Sequence, residues 1–253
     1  RSEGRGARPR RCGSGCLIRL SMPMKPFLTA LALSAAALAP APALAAAPAA
    51  VPAADTEVQR LVALLAPDDA ITRLAGKAFD TGMDQRIAAD PERKAAYAAD
   101  PAMRQAVGGQ LRTRFTSVMV AALPSLRTEI ETILRTMLTP VEVTDALAFF
   151  GSPTGQKVRA EAYEMMGSAP GQSPQEMQQA AIASVMAKMT AEDYPALMAF
   201  AGSTASQKMG TVNPRISAVS QAWADRLIAA NLPKLKALED KLAADYRARK
   251  GGK

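Results

Sequence analysis

Within 15 residues this sequence writes two helix starts, and that constrains the fold more than any other feature. In Thr139-Pro140-Val141-Glu142, the Thr139 hydroxyl can accept the backbone N–H of position 142. Glu142 can reach back to the N–H of Thr139, and Pro140 loses nothing at a first helical position. The helix is predicted to run to Phe150 and to end at Gly151, in the left-handed conformation a C-terminal cap favours. Ser152 then caps a second helix with Pro153 at its start, so one residue closes a helix and the next opens another. This predicts a tight helix-corner-helix. Gly155, in the first turn of the second helix, predicts a close approach of two backbones, and Phe149 is the inward anchor.

The stretch LTPVEVTDALAFFGSPTGQKV, from Leu138, has an echo 51 residues on, MTAEDYPALMAFAGSTASQKM, from Met189. Thr139/Thr190, Ala148/Ala199, Phe149/Phe200, Gly151/Gly202, Ser152/Ser203, Gln156/Gln207 and Lys157/Lys208 are identical without a gap. The echo predicts two helix-corner-helix units, 138–168 and 189–212, related by an internal duplication. Phe200, Gly202 and Ser203 would repeat the anchor, the stop and the cap. Pro195 falls too deep for a helix starting at Thr190, so the second unit's helix is expected to begin nearer Asp193. Gln156, Lys157, Gln207 and Lys208 form a repeated polar pair near the corners. They are either an exposed helix face or contacts to an anionic or amide-bearing partner.

Elsewhere the apolar spacing is helical. Val58, Leu61, Val62 and Leu65 follow i, i+3, i+4, i+7, and Ile71, Leu74, Ala75, Ala78 and Phe79 make the next stripe, with Gly82 placed to end it. Asp90-Pro91 and Asp100-Pro101 are capping acids followed by a first-turn proline. Ser173-Pro174-Gln175-Glu176 is another helix start. Pro124, Pro214 and Pro233 are read as further helix starts, and Trp223 lies on an inward stripe. No run of alternating β-branched residues competes. The predicted fold is all-α, a multi-helix bundle with an N-terminal helical region at 55–124 and a helical domain at 125–250.

The N-terminal part reads differently. Met24-Lys25, an apolar run from Phe27 to Leu38 and the small-residue exit Ala43-Leu44-Ala45 make residues 22–45 a secretory signal peptide, with cleavage expected after Ala45. The run is too short and too proline-broken to span a bilayer, so no membrane span is expected after cleavage. Residues 1–21 are expected to be disordered upstream translation beyond a true start at Met22 or Met24, and 46–54 an Ala/Pro-rich linker. Both cysteines, Cys12 and Cys16, precede the cleavage point. Residues 1–45 also hold seven basic residues and one acid, leaving the rest of the chain at +2 of the total +8. Nucleic acid is therefore not an expected partner.

The quoted stretch from Leu138 resembles the core motif of the bacterial "domain of unknown function 2059" family, LT-x-x-E…F-x-x-S-P-x-G-x-K. Here its positions are Leu138, Thr139, Glu142, Phe149, Ser152, Pro153, Gly155 and Lys157. The resemblance covers roughly residues 110–168. It implies a helical, exported protein of Gram-negative bacteria, and the family brings no established catalytic residues to carry over.

The chemistry available is narrow. The sequence contains no histidine, which removes the usual general base at neutral pH and His metal sites. GSPTGQK is not a phosphate loop: its glycines are too close, Pro153 lacks an N–H and no strand precedes it. A carboxylate mechanism would fall to Glu161/Glu164 or Glu129/Glu131, cleaving envelope glycan. Seven methionines between Met165 and Met209 suit either a core or an adaptable groove for lipid or peptide. The expectation is a non-catalytic periplasmic protein without cofactor, binding or scaffolding an envelope protein, glycan or lipid. A carrier or chaperone for an apolar ligand is the second reading, and a Glu-dependent hydrolase the third.

Overall fold

The computed structural model describes residues 55–168 and 174–251. The expected signal peptide at 22–45, the stretch upstream of it, the expected linker at 46–54 and Ser173 lie outside the described residues. Those described form helices joined by short connections, with no strand among them. In chain order they are α1 (Asp55–Leu65), α2 (Asp68–Ala89), α3 (Pro91–Ala99), α4 (Pro101–Met137), α5 (Pro140–Gly151), α6 (Pro153–Ser168), α7 (Pro174–Lys188), α8 (Tyr194–Ala201) and α9 (Thr204–Gly251). The all-α expectation holds.

The caps behave as the sequence predicts. Asp90 accepts the Arg93 N–H and Asp100 that of Met103, each with proline at the first position of the helix it opens. The α1 stripe of Val58, Leu61, Val62 and Leu65 is wholly buried. Its C-terminal carbonyls are satisfied from other helices: Arg159 and the Tyr163 hydroxyl of α6 donate to Leu64 and Leu65, and Arg127 of α4 to Ala66.

Four predicted interruptions are absent. Gly82 does not end α2, which runs on to Ala89. Pro124 lies inside the 37-residue α4, and Pro214 and Pro233 inside the 48-residue α9. Each proline is exposed, as are Val120 and Ala229, two of the three residues four positions upstream whose carbonyls lose an N–H partner. Water can serve those carbonyls, while the apolar stripe on the opposite face continues past Pro124 and Pro214 and, around Pro233, is carried by the partly buried Leu227, Leu232 and Leu235. In α4 that stripe is Met103, Val107, Leu111, Met119, Leu123, Leu126, Ile130 and Leu134. In α9 it passes through Met209, Val212, Ile216 and Trp223. Tertiary burial outweighs the local propensity.

Helices α4 and α9 pack along each other and carry two apolar clusters. The larger joins α1, the start of α2, the second half of α4, α5 and the first half of α9, with Trp223 buried and donating to the Ser125 hydroxyl at 3.0 Å. The smaller joins the end of α2, α3, the start of α4 and the last third of α9. Among the described residues no helix is long and apolar enough to cross a membrane. Helices α5 to α8 build the candidate site against the larger cluster.

Candidate functional site

The first corner is made largely as its residues dictate. The Glu142 carboxylate accepts the Thr139 N–H at 2.7 Å and the Thr139 hydroxyl accepts the Glu142 N–H, a complete capping box with Pro140 first in α5. Ser152 donates its hydroxyl to the Phe149 carbonyl at 2.7 Å and accepts the Gly155 N–H at 3.0 Å, so one side chain ends α5 and opens α6 at Pro153. Gly151 departs from expectation. It stays in the helix with no positive φ, and the chain turns at Ser152 in an extended conformation (φ −71°, ψ 160°). The serine performs the stop assigned to the glycine. Gly155 is where space is critical, since a Cβ there would stand 2.0 Å from the Phe149 carbonyl oxygen.

The second corner repeats these bonds. Ser203 donates to the Phe200 carbonyl at 2.7 Å and accepts the Ser206 N–H at 3.1 Å. Gly202, the residue after α8, is right-handed (φ −80°, ψ −8°), so it too makes no left-handed cap. As expected, α8 begins after Asp193, the position matching Glu142. The Asp193 carboxylate accepts the Thr190 N–H at 3.0 Å, as Glu142 accepts that of Thr139.

The two units are then crossed. Lys157 of the first donates to Asp193 of the second at 2.8 Å, and Lys208 of the second to Glu142 of the first at 2.8 Å. Between the pairs, the Phe149 and Phe200 rings stack 4.1 Å apart and 3° from parallel. Under a shift of 51 positions the two ion pairs exchange and the ring pair maps onto itself. Both carboxylates are buried and both lysines half-exposed. Burial pushes the Glu142 carboxyl up, but the Lys208 ammonium and the Thr139 bonds outweigh it and its pKa is lowered. Asp193 is held far below the usual carboxylate range, first by Lys157 and then by Thr190 and Thr154.

Above the stacked rings lies an open cleft of about 270 Å³ between α5 and α8. Asp145, Ala148, Phe149 and Ser152 form one wall, and their counterparts Ala196, Ala199, Phe200 and Ser203 form the other. Gln156 and Gln207 are exposed beside the two corners, the Gln156 amide donating to the Gly151 carbonyl. Of the four polar residues proposed as contacts, the structure ties the lysines into the crossing and leaves the glutamines outward.

Residues 124–186 match a family described as an uncharacterized protein conserved in bacteria (DUF2059). The first corner lies within the matched residues. The family is the one its motif resembles, and the match ends before the second unit begins. No curated protein and no solved structure matches the chain.

Within and beside the matched segment, the other candidates separate. Met209 is buried in the larger core and Met189 packs against Phe149, Val158 and Val185, whereas Met186 and Met198 are exposed. The acids proposed for glycan cleavage are all in ion pairs. Glu161 holds Lys188 and Ser184, Glu164 holds Lys77, Glu129 holds Arg226 and Glu131 holds Arg135. Lys188 lowers the pKa of Glu161 and Lys77 that of Glu164, opposite to what a general acid requires. Sequence reasoning assigned neither Asp193, read only as a helix start, nor Asp145 to the site. The first was detectable as an acid aligned with Glu142, while the second is distinguished only by its position on the cleft wall.

Proposed function

We propose that the protein is a non-catalytic helical protein of the periplasm of a Gram-negative bacterium, exported through a cleaved signal peptide and acting by binding or scaffolding in the cell envelope. The observation that carries this reading is the cleft over the Phe149–Phe200 stack, a concave apolar surface on a rigid crossing of two corners. The crossed contacts also support an internal duplication, in which one corner was copied and the copies became each other's partner. The lowered pKa values of Glu161 and Glu164 weigh against the hydrolase reading. A carrier for lipid or peptide keeps one supporting observation, the exposed Ile182, Met186, Tyr194 and Met198 on α7 and α8.

The test is photo-crosslinking in cells, with the probe at Gln156 and separately at Gln207, both outward and outside the ion pairs. A discrete adduct at either position is expected, and its mass identifies protein, glycan or lipid. No adduct at either would remove this face from the reading. A mature N-terminus at Ala46 in the periplasmic fraction is expected, and an intact cytoplasmic chain would refute the export proposal.

A further inference from the structure

The cleft between α5 and α8 repeats itself across the Phe149–Phe200 stack except in charge. Asp145 stands on the α5 wall, and the position 51 residues on, in the opposite wall, is Ala196. Among the described residues Asp145 forms no hydrogen bond or ion pair, although it is half-buried. The lysines of the crossing are engaged by Asp193 and Glu142, so each neutralises a buried carboxylate and neither compensates Asp145. The other polar side chains of the lining are also engaged, since Ser152 and Ser203 donate their hydroxyls to the Phe149 and Phe200 carbonyls. The cleft therefore offers an aromatic floor, alanine walls and one uncompensated carboxylate.

That combination has a definite complement. A long side chain with an apolar stem and a cationic head can lay its methylenes on the ring edges and alanines and bring its charge to the acid. A carboxylate or an uncharged amide in the same place would leave Asp145 without a counter-charge. The volume, about 270 Å³, falls below the roughly 300–1,000 Å³ of sites that engulf a small molecule, and suits anchoring by one side chain of a larger partner. Resting on the binding reading above, we propose that this cleft docks a basic protein segment, taking one Arg or Lys flanked by apolar residues, with Asp145 as the specificity-determining residue.

The experiment is a methyl NMR titration of the mature chain, following Ala148, Ala196 and Ala199. The probe is the peptide acetyl-Ala-Leu-Arg-Leu-Ala-amide, with norleucine and Glu peptides as controls. Saturable shifts at the three alanines are expected for the Arg peptide. Asp145→Asn should weaken it about fivefold, the scale of a partly exposed ion pair, and Ala196→Asp should strengthen it by a similar factor. Equal affinity in D145N, equal affinity for the norleucine peptide, or no saturable shift up to about 5 mM would each overturn the proposal. A crosslink at Gln156 or Gln207 together with a silent Arg peptide would leave the binding reading standing and refute the basic occupant alone.

Discussion

Gly151 and Gly155, four residues apart across the start of α6, have opposite roles, and only one of them was readable. Gly155 sits where any side chain would strike the Phe149 carbonyl and the Phe150 Cα, at 2.0 and 2.8 Å. Gly155→Ala should therefore destabilise the fold by about 3 kcal/mol, because backbone rather than a flexible side chain must move. Gly151 has an ordinary helical conformation and open space, its nearest would-be neighbour being Leu64 Cδ1 at 4.0 Å. Gly151→Ala should stabilise by about 0.5–1 kcal/mol, by reducing the freedom of the unfolded chain. Urea unfolding of both variants checks the pair, and a loss of stability in G151A would restore the left-handed cap. Asp193 adds a pH dependence. Its folded-state pKa is depressed by Lys157, Thr190 and Thr154, so its stabilisation is complete above the unfolded value near 4 and is lost as pH falls toward the folded value. Unfolding series at stepwise acid pH should show a shallower decline below about pH 4 in Asp193→Asn than in the native chain. An unchanged slope would mean the Lys157–Asp193 pair is not formed in solution.

Helix starts with their own chemistry were legible, while helix continuity was not. Thr139, Asp90 and Asp100 declare a start because each brings the acceptor that a free N–H needs, and all three act as expected. Pro124, Pro214 and Pro233 carry the same local signature of a break, yet whether a helix stops there depends on what lies behind it. Stripes that bury against partner helices on both sides of a proline hold the helix through it. Pro233→Ala should consequently raise stability by about 1–3 kcal/mol, since an exposed interior proline is removed from α9. Were Pro233 a true helix start, alanine there would bring no gain, because proline is favoured at that position. Thermal and urea unfolding distinguish the two. The site divides in the same way. The echo at 51 residues marked Phe149, Phe200, Lys157 and Lys208, but not that each lysine reaches the acid of the other unit. Pairing within a unit and pairing between units leave identical spacing in the sequence, and only packing separates them.

Over the whole molecule, α2, α4 and α9 run through two apolar clusters that make few demands on each other. Between Ala224 and Glu239, α9 buries no residue, and on the other side the tilted Phe79–Phe115 contact at 5.7 Å bridges the seam. The larger cluster supports the cleft, and the smaller is organised around a buried charge. Glu239 receives Arg93 at 2.9 Å, Arg86 at 3.0 Å and the Tyr97 hydroxyl at 3.4 Å, joining α9 to α2 and α3. Close by, Asp100 draws in Lys250 and the Tyr246 hydroxyl, fastening the end of α9 to the start of α4. Removing the Glu239 charge leaves the mostly shielded Arg86 guanidinium without its anion and Arg93 with Asp90 alone, at 3.5 Å. Glu239→Gln should cost about 3 kcal/mol, most of it the desolvation of the Arg86 charge left unpaired. Because the seam is weak, the loss should be local. Hydrogen exchange should show α3 and the backbone around Ile87, Val107 and Ala243 opening early in E239Q, while α1 and α5 keep native protection. Uniform loss of protection would instead mean that α4 and α9 transmit the defect end to end. In that event a disturbance at Glu239 would reach the cleft, and the two clusters would fold as a single unit.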